Sequence, residues 1–349
     1  MLDVAEYLYI FIAFALSLLI HYLVIHLTHQ RGIFLDEHDK VQKVHDHPTP
    51  RIGGLGIFLA SMFMLNDQAT GGYLMLAAIP AFIAGFLEDY SGKVSPEQRL
   101  AIMFLSPVMA IVMLPDSILS QWFFTPAAGI LGIVASAVLM VALVNGVNFT
   151  DGQNGLASGT VLISLLAMMI IGVQLNDKSV VYVTAIVGAS ILAFLIYNFP
   201  AGKIFLGDGG AYLLGFMLAA IGIIVVQRHR TEVSPFLVVA LTVYPLWEVA
   251  FSTFRKLFYD HISPFTSDDY HMHQLLYRNH SRGKAYLPVL FLLPAQIVVS
   301  CFAIIFYNNT LALILITAVY VVCYVALYFY ERRRKGIRGA AAGRGLHDV

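Results

Sequence analysis

Long apolar runs alternate along this chain with short polar or glycine-rich stretches. Between Tyr7 and Leu27 there is no Asp, Glu, Lys or Arg, and a helix needs about 20 mostly apolar residues to cross a bilayer. The same pattern recurs at Ile52–Leu65, Tyr73–Leu87, Leu100–Leu114, Ala127–Val144, Leu156–Leu175, Val180–Tyr197, Ala211–Val226, Phe236–Phe258, Tyr286–Tyr307 and Leu311–Tyr330. Eleven spans and an all-α, polytopic integral membrane fold are therefore expected. Three of these runs, Ile52–Leu65, Tyr73–Leu87 and Leu100–Leu114, are short and need flanking residues such as Pro50, Gly71 or Arg99 to complete a crossing. Residues 1–335 read as one transmembrane domain, and 336–349 as a polar tail expected to be disordered. The first run has no basic residue before it and no small-residue cleavage site after it, so it reads as a retained helix and not a signal peptide.

Composition agrees with the pattern. Apolar residues make up 59% of the 349 and charged residues 12%, with a mean hydropathy of +0.77; soluble globular chains carry about 25% charged residues. A soluble enzyme, a disordered chain and a nucleic-acid binder are poor fits. Cys301 and Cys323, the only cysteines, both lie in apolar runs, which leaves no disulfide framework or cysteine metal cluster. The net charge is zero, but its distribution is lopsided: with eleven spans, 18 of the 21 Lys and Arg fall on one side, and only Lys178, Arg228 and Arg230 on the other. Basic residues in short loops accumulate on the cytoplasmic side. The N-terminus is thus expected outside and the C-terminus, with Arg332-Arg333-Arg334-Lys335, in the cytoplasm.

The unusual loops share that basic side. They are Asp36 to Gly54, Glu88 to Gly92, Asn145 to Gly155, Asn198 to Gly210 and Ser263 to His273. Their convergence predicts one active site facing the cytoplasm. Glu88-Asp89 ends an apolar helix, where acids oppose the helix dipole by roughly 0.3–1 kcal/mol, so a compensating cation or metal is expected. Asp151-Gly152 and Asp208-Gly209 could each be simple turns, but acids at membrane helix ends are costly and usually functional. Carboxylates and waters hold Mg²⁺ against substrate phosphates, while glycines let backbone N–H groups approach phosphate oxygens. Phosphoryl transfer is the chemistry such a cluster suits. Lys203, Arg51, Lys93 and Arg282 are candidate phosphate clamps, with positive-inside topology as the plain alternative for each. His271 and His273 lack the third and fourth ligands of a zinc site and suit phosphate contact or proton handling.

These motifs resemble the polyprenyl-phosphate N-acetylhexosamine-1-phosphate transferases, glycosyltransferase family 4, the superfamily that also contains phospho-N-acetylmuramoyl-pentapeptide transferase. The resemblance spans five separated segments between Asp36 and His273, in family order. It implies transfer of a sugar-1-phosphate from a UDP-N-acetylhexosamine to undecaprenyl phosphate, with release of UMP, at the cytoplasmic face of a bacterial inner membrane. It also implies Mg²⁺ as cofactor, with Mn²⁺ as a conceivable substitute, and leaves room for a homodimer. By resemblance, Glu88, Asp89, Asp208, His271 and His273 are catalytic, and Asp89, Asp151 and Asp208 surround the metal. Lys43, His45, Arg51, Asn148, Asp151, Asn154 and Lys203 bind substrate. Glu88 and Asn154 replace family aspartates, and Met272 and Gln274 replace histidines of the histidine-rich loop. Those departures point away from the muramoyl-pentapeptide branch and toward the branch that starts O-antigen or other surface polysaccharides.

Three rivals remain open at this level. A secondary transporter would place its acids near mid-membrane, often in two related halves. A CDP-alcohol phosphotransferase would show an Asp-x-x-Asp-Gly-x-x-Ala-Arg run, which is absent. A non-catalytic scaffold needs no acid cluster.

Overall fold

Helix α8, Gly207–Arg228, is the axis of the molecule. It is apolar all round, and every residue from Gly207 to Gln227 is buried, as expected of a helix with no polar face. The computed structural model describes residues 2–32, 34, 48–67, 70–113, 129–263, 266, 268–281 and 283–344. Lys43, His45 and Arg282 lie outside the described residues.

Regular structure among the described residues is helical: α1 Val4–Arg31, α2 Gly53–Ser61, α3 Gly71–Ser91, α4 Pro96–Met113, α5 Gly129–Thr150, α6 Leu156–Gln174, α7 Lys178–Asn198, α8, α9 Phe236–Leu241, α10 Val243–Phe254, α11 Met272–His280, α12 Leu287–Ile305 and α13 Thr310–Arg344. Helices α3 and α5 pack most extensively against α8, with α2 and α6 filling in beside them. The outer helices α1, α4 and α13 keep large apolar side chains such as Phe11, Val112 and Val322 exposed, which suits a surface facing lipid.

Among the described residues, nine of the eleven expected spans are helices long and apolar enough to cross a membrane. The other two depart from a single continuous helix. Ile52–Leu65 is the short α2, tightening into a 3₁₀ turn at Met62–Asn66. Phe236–Phe258 breaks at Thr242 between α9 and α10. Pro245 explains the break: it has no N–H to give to the carbonyl four residues earlier and its ring clashes there. That carbonyl, on Leu241, instead accepts from Ser164 Oγ at 2.6 Å and Gln296 Nε2 at 2.8 Å. Neighbouring helices thus satisfy the freed group, as the bilayer interior demands. Helix α10 then ends in a π-helical turn, Arg255–Tyr259. Helix α13 runs on past residue 335 to Arg344, into the stretch expected to be a disordered tail; residues 345–349 lie outside the described residues.

Candidate active site

The N-terminal end of α8 is where the separated motifs meet. Backbone pairing joins the first motif to the fourth: Gly53 and Gly54 donate to the carbonyls of Phe205 and Leu206 at 2.9 and 2.8 Å, and Phe205 donates to Pro50 at 2.8 Å. Helix α3 reaches the same place because Gly85 has no side chain. A Cβ at Gly85 would lie 2.3 Å from the Asp208 carbonyl, so only glycine lets α3 and α8 touch backbone to backbone. Four residues further along, Asp89 lies at the exposed N–H groups of α8. Its Oδ1 accepts from the Asp208 backbone N–H at 2.9 Å and its Oδ2 from that of Gly209 at 2.8 Å. An acid that ends one helix, and would oppose that helix's dipole, is thereby used at the start of another, where negative charge is favourable.

Asp208 turns its carboxylate toward two guanidinium groups. Arg51 Nη2 donates to Oδ1 at 2.5 Å and Arg99 Nη1 to Oδ2 at 2.8 Å, and Arg51 Nε lies 3.6 Å from Asp89 Oδ1. Asp151, in the loop after α5, belongs to the same group. Burial pushes its carboxyl well above the usual carboxylate range; the Arg51 charge pulls it back, the Asp208 and Asp89 charges push it further, and a hydrogen bond from the Gly207 backbone lowers it. Three carboxylates and two arginines therefore share one helix end.

A second polar group adjoins the first through Gly152, whose Cα faces His273: a Cβ there would lie 2.4 Å from His273 Nε2. His273 is buried, and burial with the neighbouring His271 pushes it down to about 3, so it is a neutral imidazole near pH 7. His271 stacks on it with ring centroids 5.7 Å apart and planes at 10°, and contacts the Phe149 ring at 5.3 Å. His271 Nδ1 is 2.9 Å from Glu248 Oε1, and its Nε2 is 3.7 Å from Asp268 Oδ1. Asp268 in turn accepts from Arg255 at 2.6 Å.

The expected residues are not all used alike. Asp89, Asp151, Asp208 and Arg51 converge, and His271 and His273 stand beside them. Glu88 turns away and accepts the Val94 N–H at 3.0 Å, closing the turn after α3. Asn154 donates to the Pro200 carbonyl at 2.9 Å and so ties its loop to the one preceding α8. The Asn148 carbonyl accepts from the Asp151 N–H at 3.1 Å, shaping the turn that carries the acid. Lys203 and Lys93 are exposed. Arg99 and Glu248 were not among the expected site residues. Arg99 was visible as the second cation after the Glu88-Asp89 loop, beyond Lys93, and Glu248 as an ionisable residue within an apolar span, which is a functional signal by default.

Among the described residues no three His, Cys, Asp or Glu side chains converge to hold a cation unaided. Mg²⁺ does not require such a cage; it keeps several waters and uses one or two carboxylates plus substrate phosphates. The hard oxygen donors of Asp89, Asp151 and Asp208 are of the kind that suits it; those of Asp89 also accept from the α8 backbone, and those of Asp208 from Arg51 and Arg99.

Known proteins resemble this chain along most of its length. Residues 72–226 match Glycosyl transferase family 4. The chain is 31% identical over 311 residues to the decaprenyl-phosphate N-acetylglucosaminephosphotransferase of Mycobacterium leprae, an alignment covering 78% of each chain. It is 29% identical over 259 residues to the undecaprenyl-phosphate alpha-N-acetylglucosaminyl 1-phosphate transferase of Thermotoga maritima, covering 73% of this chain and 76% of that one. A phospho-N-acetylmuramoyl-pentapeptide-transferase of Streptococcus uberis is 29% identical over 231 residues, covering 60% of this chain and 69% of its own.

Proposed function

The chain belongs to glycosyl transferase family 4, and from that premise we propose that it transfers N-acetylhexosamine-1-phosphate from a UDP-sugar to undecaprenyl phosphate, starting a lipid-linked surface polysaccharide. The observation that carries the reading is the meeting of Asp89, Asp151, Asp208, Arg51 and Arg99 at one end of the buried helix α8.

In this reading an oxygen of the lipid phosphate attacks the β-phosphorus of the donor. The bond from that phosphorus to the bridging oxygen breaks, and UMP leaves with the oxygen. A phosphate monoester has its second pKa near 6, so the attacking oxygen is already largely deprotonated at neutral pH. The chain's task is to align two anions and offset their repulsion, roughly 4 kcal/mol for unit charges 4 Å apart at an effective dielectric of 20. Arg51 and Arg99 supply fixed positive charge, and Asp89 sets the position of the Asp208 backbone. His273, neutral and facing Gly152, offers an uncharged imidazole beside the Asp151 loop. Asp151 and Asp208 would hold Mg²⁺, which supplies charge neutralisation on the diphosphate when bound. In this reading the site faces the cytoplasm at a bacterial inner membrane, with the N-terminus outside; the sidedness is supported by the 18 of 21 basic residues that fall on its side when eleven spans are counted.

The test is UMP release by purified protein in detergent, across a panel of UDP-N-acetylhexosamines, with and without undecaprenyl phosphate and Mg²⁺, and with Asp208→Asn as control. Release that requires lipid, metal and Asp208 is expected. Release indifferent to the lipid, or to Asp208, would refute the reading.

A further inference from the structure

Glu248 is 1% exposed on a helix inside the bundle, where a carboxylate is costly unless it is fully partnered. Its three partners come from two sides, the start of α11 and α13. His271 Nδ1 lies 2.9 Å from Oε1, the Met272 backbone N–H donates to the same oxygen at 3.4 Å, and the Tyr324 hydroxyl of α13 donates to Oε2 at 2.7 Å. An ionised carboxylate accepts only, so the proton of the His271 ring must reside on Nδ1. The ring plane is fixed as well, by Phe149 on one contact and His273 on the other. Nε2 is left 3.7 Å from Asp268 Oδ1, beyond hydrogen-bonding reach, and that carboxylate is already paired with Arg255.

We propose that Glu248 is a positioning residue of the transferase: its buried carboxylate holds His271 by Nδ1–H, so that Nε2 is presented to a substrate phosphate oxygen. The inference rests on the transferase reading above. The competing role is a plain tie between α10, α11 and α13, for which any group of the same shape and hydrogen-bonding capacity would serve. Tyr324 belongs to the tie but does not touch His271 through Glu248's other oxygen, so it separates the two roles.

The experiment is kinetic analysis of UMP release by Glu248→Gln, Tyr324→Phe, His271→Ala and the double variant Glu248→Gln/His271→Ala, each checked by thermal unfolding. Glu248→Gln keeps the shape and removes the charge. It should lower kcat by about tenfold or more with KM for the donor little changed, while Tyr324→Phe stays near wild type. Because Glu248 acts through His271, adding Glu248→Gln to His271→Ala should cost nothing further. A wild-type kcat for Glu248→Gln, or an equal loss with and without His271, would overturn the proposal. A second measurement needs no variant fold at position 248. In ¹⁵N-histidine-labelled wild-type protein, the His271 signal, identified by its loss in His271→Gln, should show a protonated Nδ1; a bare Nδ1 would overturn the proposal by itself. Lack of lipid-dependent UMP release from wild-type protein would instead count against the transferase reading, and the nitrogen spectrum would still decide the Glu248 contact.

Discussion

Asp89 accepts the backbone N–H of Asp208 at 2.9 Å while Arg51 bridges their two side chains, at 3.6 Å from Asp89 Oδ1 and 2.5 Å from Asp208 Oδ1. The acid at the end of α3 therefore caps α8 and, through that cap, fixes the direction in which Asp208 leaves the helix. Packing, electrostatics and site geometry are the same contact. Asp89→Asn replaces one accepting oxygen with an amide nitrogen, leaving one N–H of α8 without its acceptor. A lost cap costs about 1 kcal/mol. Thermal unfolding should shift by that modest amount, while UMP release per folded molecule falls far more, because the aim of Asp208 is lost with the cap.

Gly85 makes that contact sterically possible, and Gly85→Ala should break it. The added methyl would sit 2.3 Å from the Asp208 carbonyl, and the neighbour is backbone, which cannot rotate away. Overpacking of this kind costs about 1–3 kcal/mol, and α3 must separate from α8 to relieve it. Activity is expected to fall to background in protein that still extracts as a folded species. Gly72→Ala, on the same helix, meets nothing closer than 3.9 Å and should leave both stability and UMP release unchanged.

How much of this was legible beforehand depends on which physical signal each residue carries. The buried axis α8 and the other long helices announce themselves through length and apolarity, which require no tertiary knowledge. The break at Thr242 was hidden in the run Phe236–Phe258: Pro245 hinted at it, but only the carbonyl partners Ser164 and Gln296, one on α6 and one on α12, make the break tolerable. Asp89, Asp151 and Asp208 stood out because acids at the ends of apolar runs need a reason. Their division of labour did not, since whether a carboxylate caps a backbone or faces a cleft is decided by a glycine contact between distant helices. Glu88 shows the limit in reverse: adjacent to Asp89 in sequence, it points to the Val94 N–H, as one residue of helical rotation dictates. Asn154 likewise braces a loop through Pro200.

Arg99 and the metal should compete for Asp208. The guanidinium occupies Oδ2 at 2.8 Å, the oxygen set a hard cation would use. Arg99→Gln removes that charge and leaves a carboxylate with one cation fewer, so Mg²⁺ should half-saturate UMP release at a lower concentration than in wild type. Turnover at saturating Mg²⁺ should nevertheless fall, because a fixed positive charge has gone from beside the diphosphate. A Mg²⁺ titration reads both quantities at once. An unchanged metal requirement would mean that Asp208 does not touch the ion.

Asp151 offers a prediction in which stability and activity move in opposite directions. Burial keeps its carboxyl protonated to a higher pH than the 3.8 of a free aspartate side chain. Between 3.8 and the raised value the folded chain binds more protons than the unfolded one, so stability is greatest below that window and declines as pH rises through it. As pH rises above the range of a free aspartate, the folded protein bears a growing cost for holding the desolvated Asp151 carboxyl beside Asp89 and Asp208. Asp151→Asn removes the charge yet keeps an oxygen that can accept the Gly207 N–H. The variant should therefore unfold at a higher temperature than wild type at about pH 8, with the difference shrinking as pH falls toward 4. It should also lose UMP release, and Mg²⁺ should raise the unfolding temperature of wild type but not of the variant, since the carboxylate that burdens the empty fold is the one that would receive the ion. Equal unfolding temperatures for the two proteins across that range would show an ordinary, solvated aspartate and remove Asp151 from the group at the head of α8.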